Sequence, residues 1–129
     1  MAKTSQDDTM YAANKRVLQY TVTDADDSDA PLDMSSYASI KWAMSRIDSE
    51  GNILTSPVLE KSESGGGIVL TNGAGTKDVA SVTILTADTT NLLTGSFYTE
   101  LEVTDSATPG ESVVLATGTL TILKNVVNT

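Results

Sequence analysis

Apolar and polar residues alternate with a period of two along several short stretches of the chain, and turn-forming residues separate these stretches. In Lys15–Thr23 the apolar side chains of one face are Leu18, Tyr20 and Val22. In Ser39–Ile47 they are Ile40, Trp42 and Met44. Few stretches show the 3.6-residue period of an amphipathic helix. This pattern is typical of an all-β sandwich or barrel.

The remaining predicted strands cover residues 53–61, 68–70, 79–85, 96–104 and 113–123. Pro57 interrupts the first of these, which favours an edge strand, and Gly118 indicates a bulge in the last. Residues 86–93 predict one short helical turn between two sheets. About seven strands in ~100 residues are expected for an immunoglobulin-type domain. The sequence therefore predicts an all-β, immunoglobulin-like antiparallel β-sandwich of about seven strands.

The turn and strand signals define a single domain over residues 15–123. Residues 1–14 are polar and are predicted to form a flexible or partner-binding arm. Residues 124–129 form a short tail that carries Val126 and Val127. Trp42 lies on the second main strand, where the immunoglobulin fold places a core tryptophan.

Composition excludes several classes of function. The 129 residues include no Cys and no His, and 17 acidic against 8 basic residues give a net charge of −9. Without Cys or His there is no thiol nucleophile, no disulfide, no cysteine zinc site and no histidine base. The acidic balance argues against nucleic acid as a partner, because phosphate binding needs clustered Lys and Arg.

The N-terminal residues lack the apolar region of a signal peptide, and no apolar run reaches the roughly 18 residues that span a bilayer. We therefore expect a protein made in a reducing cytoplasm, with no membrane partner.

The densest set of oxygen ligands is the acidic loop that begins at Asp24. Its carboxylates could bind Ca²⁺, which takes 6–8 oxygen ligands, and they are Asp24, Asp26, Asp27 and Asp29, with Asp33 nearby. The spacing does not fit an EF-hand, because Ser35 stands where a bidentate Glu is needed. A solvated turn is the favoured interpretation, so no metal or other cofactor is predicted.

Two other motifs could carry chemistry. Glu100 and Glu102 lie on one face of a predicted strand, as a glycosidase pair would, but that face is the solvent face. Gly65-Gly66-Gly67 lacks the Lys-Ser/Thr that follows the glycines of a phosphate-binding loop, and it indicates a mobile loop. The sequence therefore predicts no catalytic residue and no enzyme.

The aromatic residues have mainly structural interpretations. Trp42 alternates with Ile40 and Met44, so a core position is favoured over a sugar-stacking platform. Tyr98 follows Gly95 near the start of a strand, where it could form a tyrosine corner by bonding an upstream backbone group. The other tyrosines, which are candidates for interfaces, are Tyr11, Tyr20 and Tyr37.

The stretch from Val82 to Asp105 contains T-x-D-T at Thr86–Thr89, followed from Leu92 to Asp105 by L-x-x-G-x-x-Y-x-E-L-x-V-T-D. This pattern resembles immunoglobulin-like domains of bacteriophage tails and baseplates, such as the N-terminal domain of the siphophage upper baseplate protein. Ser39–Asn52 resembles the opening strand and turn of small phage domains, and Leu115–Ile122 is similar to that family's closing strand.

The resemblance implies a non-enzymatic virion structural protein that acts as an adaptor, a fibre-attachment protein or a surface decoration. Its expected partners are other phage structural proteins of the tail, baseplate, fibre or capsid. A homo-oligomer or a symmetric multi-copy array in the particle is expected. The alternative is a carbohydrate-binding or host-surface adhesion module, which needs exposed aromatic residues or a Ca²⁺ site.

Overall fold

The computed structural model describes residues 4–24, 30–92, 94–106 and 110–126. These residues form eleven strands, one short helix and one 3₁₀ turn at Met34–Ser36. The strands are β1 (Thr4–Ser5), β2 (Asp8–Tyr11), β3 (Arg16–Thr21), β4 (Thr23–Asp24), β5 (Ala30–Pro31), β6 (Ser39–Arg46), β7 (Leu59–Ser62), β8 (Ile68–Thr71), β9 (Val79–Ile84), β10 (Gly95–Thr104) and β11 (Ser112–Leu123). The helix, α1 (Thr86–Thr89), lies within the predicted helical turn.

The strands form two main sheets that face each other. The large sheet has the order β1-β11-β10-β6-β7, and β2 also pairs with β11. The small sheet has the order β3-β9-β8. Strands β4 and β5 make a separate two-stranded hairpin. The α1 turn carries the chain from β9 in the small sheet to β10 in the large sheet.

This arrangement confirms the predicted immunoglobulin-like sandwich. The seven predicted strands correspond to β3 and β6 to β11. In the immunoglobulin lettering, β6, β10 and β11 take the positions of strands C, F and G, with β7 as C′. Strands β3, β9 and β8 take the positions of B, E and D.

The core lies between the two sheets, where period-two alternation places the apolar side chains. The predicted inward faces of β3 and β6 are confirmed, because Leu18, Tyr20, Ile40, Trp42 and Met44 are each at most 1% exposed. The inward positions of β10 are likewise buried, at Phe97, Leu101 and Val103. Burial of these side chains is the main stabilising contribution to the fold.

The N-terminal segment, predicted to be a flexible or partner-binding arm, is paired with the large sheet within the described residues. Strands β1 and β2 run parallel to β11, with Thr4 opposite Ala116 and Leu120 opposite Asp8. Met10 is only 4% exposed and belongs to the core. Residues 4–11 are thus an integral edge of the large sheet, and the sandwich is not purely antiparallel.

The bulge in β11 was predicted near Gly118, and the structure places it elsewhere. The register with β10 shifts between Leu101, opposite Ala116, and Glu102, opposite Val114. Leu115 is therefore the extra residue. Gly118 serves another purpose: a Cβ at this position would coincide with the carbonyl group of Gln6. The glycine lets the N-terminal backbone pass directly over β11.

Within the described ranges, no helix has the length and apolar character that a membrane crossing would require.

Candidate functional site

The calcium candidates of the acidic loop are only partly described. Asp24 is half-buried at the end of β4, whereas Asp26, Asp27 and Asp29 lie outside the described residues. Asp33 accepts hydrogen bonds from the Ser35 amide N–H (3.0 Å) and hydroxyl (2.6 Å), so it caps the 3₁₀ turn. In the part of the chain that the structure describes, no three acidic side chains meet as a metal-binding group.

The glycine run after β7 is a hydrogen-bonded turn. Gly65 N–H donates to the Ser62 hydroxyl (3.0 Å), and Gly67 N–H donates to the Ser62 carbonyl (3.0 Å). Gly66 N–H donates to the Glu63 carbonyl (3.0 Å). All three amides are therefore used inside the turn, and none is left to cradle a phosphate.

Two of the aromatic predictions are decided by the structure. Trp42 is 1% exposed and lies in the core, as predicted. The prediction of a tyrosine corner at Tyr98 was wrong. The Tyr98 hydroxyl donates to the Glu100 carboxylate at 2.8 Å and not to an upstream backbone carbonyl. Tyr98 and Glu100 are two residues apart on β10, so both point to the outer face of the large sheet.

The other tyrosines are in three different environments. Tyr20 is 1% exposed and cannot contribute to an interface. Tyr37 is partly buried and packs against the core. Tyr11 is 52% exposed at the end of β2, so it is the tyrosine most accessible to a partner.

A groove of about 260 Å³ lies on the outer face of the large sheet. Its floor comes from β6 and β10, and its wall comes from the connection between β6 and β7. The lining residues are Ala43, Ser45, Ile53, Leu54, Thr55, Pro57, Tyr98 and Glu100. Ile53 and Leu54 are 48% and 43% exposed, so the wall presents aliphatic surface to solvent. We call this site the outer groove.

A tight turn holds the wall of the outer groove in place. The Asp48 carboxylate accepts the amide N–H groups of Glu50 (2.9 Å) and Asn52 (2.8 Å). The Asn52 amide, with that of Glu50, lowers the pKa of Asp48, because these hydrogen bonds favour the charged carboxylate. Gly51 has a φ of +86°, as predicted for this turn. Leu54 N–H then donates to the Arg46 carbonyl at 2.9 Å, which brings the wall back beside β6.

The polar end of the outer groove is the Tyr98–Glu100 pair. Burial raises the pKa of Tyr98 to about 12, and its hydrogen bond to Glu100 adds to this, because the hydroxyl must keep its proton to donate it. Glu102 lies on the same face of β10 as Glu100. It lies one pair further along β10, directly opposite Lys41 of β6. The two glutamates therefore have different neighbours.

Sequence reasoning missed the outer groove because it placed residues 53–56 in a strand. Only Ile53 makes a bridge, to Ile47, and strand pairing resumes at Leu59. The signal in the sequence was the adjacent pair Ile53-Leu54: in a strand one of these side chains would be buried, and Pro57 follows closely. Both side chains are exposed, and only this bridge and the hydrogen bond from Leu54 N–H to the Arg46 carbonyl tie the stretch to β6.

No protein-family model and no curated protein sequence matches this chain. Among solved structures it is similar to CopC from Methylosinus trichosporium OB3b, with 16% identity, a TM-score of 0.37, and coverage of 97% of this chain and 87% of that one. It is also similar to a family 123 glycoside hydrolase from Clostridium perfringens, with 11% identity and a TM-score of 0.44. That match covers 95% of this chain but only 23% of the hydrolase.

Proposed function

We propose that this protein is a non-enzymatic structural component of a bacteriophage virion, acting as an adaptor, fibre-attachment or surface decoration protein. The phage assignment rests on the resemblance of the segment from Val82 to Asp105 to immunoglobulin-like tail and baseplate domains. In the fold this segment runs from β9 through α1 into β10, so it spans both sheets.

The observation that carries the contact-making role is the outer groove. Ile53 and Leu54 stand exposed beside Tyr98 at the outer face of the large sheet. Aliphatic and tyrosine side chains at one position are what the centre of a protein contact requires. A partner that places an apolar side chain between them would gain about 1.5–3 kcal/mol of binding free energy for each large apolar side chain that is fully buried.

The charge of the molecule also fits this role. The net charge of −9 helps to keep unassembled copies soluble. Particle symmetry would then bring many copies together, so that weak individual contacts act with avidity. In this proposal the partners are other structural proteins of the same virion.

Quantitative mass spectrometry of purified particles tests the proposal. We expect the chain to be present in each virion in a fixed copy number. Hundreds of copies would identify a capsid decoration, and a small multiple of three or six would identify a tail component. Absence from particles that infect normally would overturn the proposal, and glycan binding that a chelator abolishes would favour the adhesion alternative.

Substitution in the outer groove tests the contact surface itself. Leu54→Asp should lower incorporation into particles by roughly tenfold or more, because a buried contact of this size is worth at least one decade of affinity. Val69→Asp is the matched control, because Val69 is also exposed (55%) but lies on the small sheet. Equal incorporation of both variants would show that the outer groove is not the docking surface.

A further inference from the structure

The open edges of the two sheets differ in how well they are protected against pairing with another chain. The large sheet has edges at β1/β2 and at β7, and the small sheet has edges at β3 and β8. An unprotected edge strand offers its backbone N–H and C=O groups to any strand that approaches. Proteins normally blunt such edges with charges, proline, short length or irregularity.

Both edges of the large sheet carry these protections. Strands β1 and β2 are interrupted at Gln6-Asp7, where the backbone passes over Gly118, and Asp8 adds a second charge beside Asp7. At the opposite edge, β7 has only four residues, of which Glu60 and Lys61 are charged. Pro57 lies two residues before its start.

The β8 edge of the small sheet is also protected. The strand has four residues, and the Lys77 ammonium group lies 3.5 Å from the Leu70 carbonyl oxygen. This carbonyl points outward. Thr83 N–H of β9 donates to the Gly67 carbonyl. Because backbone hydrogen bonding alternates along an antiparallel pair, the N–H and C=O groups of Ile68 and Leu70 point away from β9. A lysine over an outward carbonyl opposes the addition of a strand.

Strand β3 carries fewer of these protections among the described residues. It is six residues long and contains one charged residue, Arg16, at its first position. Val22 N–H donates to the Asp78 carbonyl at 2.9 Å. The backbone N–H and C=O groups of the even-numbered residues of β3 therefore point toward β9 and hydrogen-bond to it. The backbone groups of Val17, Gln19 and Thr21 consequently point away from the sheet. Their side chains are exposed on its outer face.

We infer that β3 pairs antiparallel with β3 of a second copy of this chain, with Gln19 on the two-fold axis. Two three-stranded small sheets would then become one continuous six-stranded sheet. In this register Val17 lies opposite Thr21 of the partner subunit, and Gln19 lies opposite Gln19 of the partner subunit. Residues 17–21 serve both sides, as an isologous dimer requires.

Charge complementarity identifies the occupant as a second copy. The basic residues Lys15 and Arg16 precede the outward segment of β3, and the acidic residue Asp24 follows it. Antiparallel pairing about Gln19 places Arg16 opposite Val22 of the partner subunit and diagonal to Asp24 of the partner subunit, within reach of a long side chain. The Arg16 side chain is 45% exposed although it contacts Asp8 at 3.3 Å, so it can extend to a second carboxylate. No like charges oppose each other in this register.

This inference goes beyond the proposed function and does not depend on it. Analytical ultracentrifugation of the purified full chain should show a concentration-dependent dimer of twice the 13.5 kDa chain mass, forming below about 100 μM. A protein that stays monomeric over that range would overturn the inference. A dimer in a chain that is absent from virions would overturn only the proposed function.

Substitution at the two-fold axis tests the interface. Gln19→Pro removes the N–H that points toward the partner, and proline is tolerated in an edge strand where that N–H faces outward. We expect at least about a tenfold rise in the dimer dissociation constant, since a central pair of backbone hydrogen bonds is lost. Gln19→Thr keeps the N–H and should dimerise like the wild type. Unchanged dimerisation of a folded Gln19→Pro variant would contradict the inference.

Cysteine cross-linking tests the register without relying on the proline variant. The chain has no Cys, so a single introduced thiol reports only on contact between copies. Opposed hydrogen-bonded residues are about 5.5 Å apart at Cα, which a disulfide can span. Gln19→Cys should therefore form a covalent dimer under mild oxidation, and Val69→Cys, exposed on the opposite edge of the same sheet, should not. Faster cross-linking at position 69 than at position 19 would refute the proposed pairing.

Discussion

The indole N–H of Trp42 donates a hydrogen bond of 2.9 Å to the hydroxyl oxygen of Tyr20, and this contact joins the two sheets through the core. Trp42 lies on β6 of the large sheet, and Tyr20 lies on β3 of the small sheet. The side chain of Thr99 on β10 also lies close to the Tyr20 hydroxyl. All three side chains are at most 2% exposed, so the hydrogen bond between Trp42 and Tyr20 is fully enclosed.

Replacement of Tyr20 by Phe should destabilise the protein by about 1–3 kcal/mol, because it leaves the Trp42 N–H buried without an acceptor. Equilibrium unfolding in urea measures this, with the fluorescence of Trp42, the only tryptophan, as the probe. Tyr98→Phe is the control. It removes a hydroxyl that is half-exposed on the outer face, and it should cost less than about 1 kcal/mol. Equal losses in the two variants would show that the enclosed hydrogen bond has no special weight.

Stability should fall as the pH rises above 10. Burial raises the pKa of Tyr20, Tyr37 and Tyr98 from the ordinary value of 10.0, for Tyr98 to about 12. Above pH 10 the unfolded chain releases these protons while the folded chain retains them, so unfolding is increasingly favoured. The contribution of these tyrosines to the free energy of unfolding is fully present below pH 10. The contribution of Tyr98 is lost as the pH approaches 12.

The alkaline effect is measured as the midpoint of urea unfolding between about pH 9 and pH 11. Tyr98→Phe should make the decline shallower, because one of the groups that link proton release to unfolding is gone. A decline of the same steepness in this variant would mean that Tyr98 titrates alike in both states.

Gly118→Ala should destabilise the protein by about 1–3 kcal/mol, the usual cost of forcing an extra methyl into a filled space. The added Cβ would meet the Gln6 backbone, whose N–H donates to the Thr117 carbonyl at 2.9 Å. Hydrogen exchange at the Gln6 amide should accelerate in the variant. The matched background is a chain without residues 1–7, where alanine has nothing to displace and should be neutral or slightly stabilising relative to glycine. A penalty that persists in the shortened chain would place the clash elsewhere.

Asp88→Asn should cost more stability than Lys61→Met. The Asp88 carboxylate accepts both the Lys61 ammonium group (2.7 Å) and the Leu85 amide N–H (2.7 Å), so it ties β7 to α1 and also caps the helical turn. Both side chains are less than 20% exposed, which limits screening by solvent. Loss of the ion pair alone should cost about 1 kcal/mol, and loss of the charged cap should add a similar amount. Thermal unfolding of both variants and of the double variant would reveal the order, and a reversed order would refute this account of Asp88.

Much of the sandwich could be predicted from the sequence because the alternation of side chains is a local property. The order apolar-polar-apolar in Leu18-Gln19-Tyr20 or Ile40-Lys41-Trp42 sets which face of a strand is buried, whatever its neighbours are. The turn at Asp48–Asn52 and the helical turn after β9 could also be predicted, because their residues hydrogen-bond to one another. The outer groove could not be predicted, because it combines side chains of β6, β10 and the β6–β7 connection, whose packing the local pattern does not encode.

The sequence by itself determined the strands, their inward faces and the all-β class. Only the tertiary structure decided that residues 4–11 lie parallel to β11, that Trp42 bonds Tyr20, and that Lys61 reaches Asp88. These contacts join residues that are 22 to 112 positions apart along the chain. Partner selection over such distances depends on how the whole chain closes its core, and for the N-terminal edge it depends on one missing side chain, at Gly118.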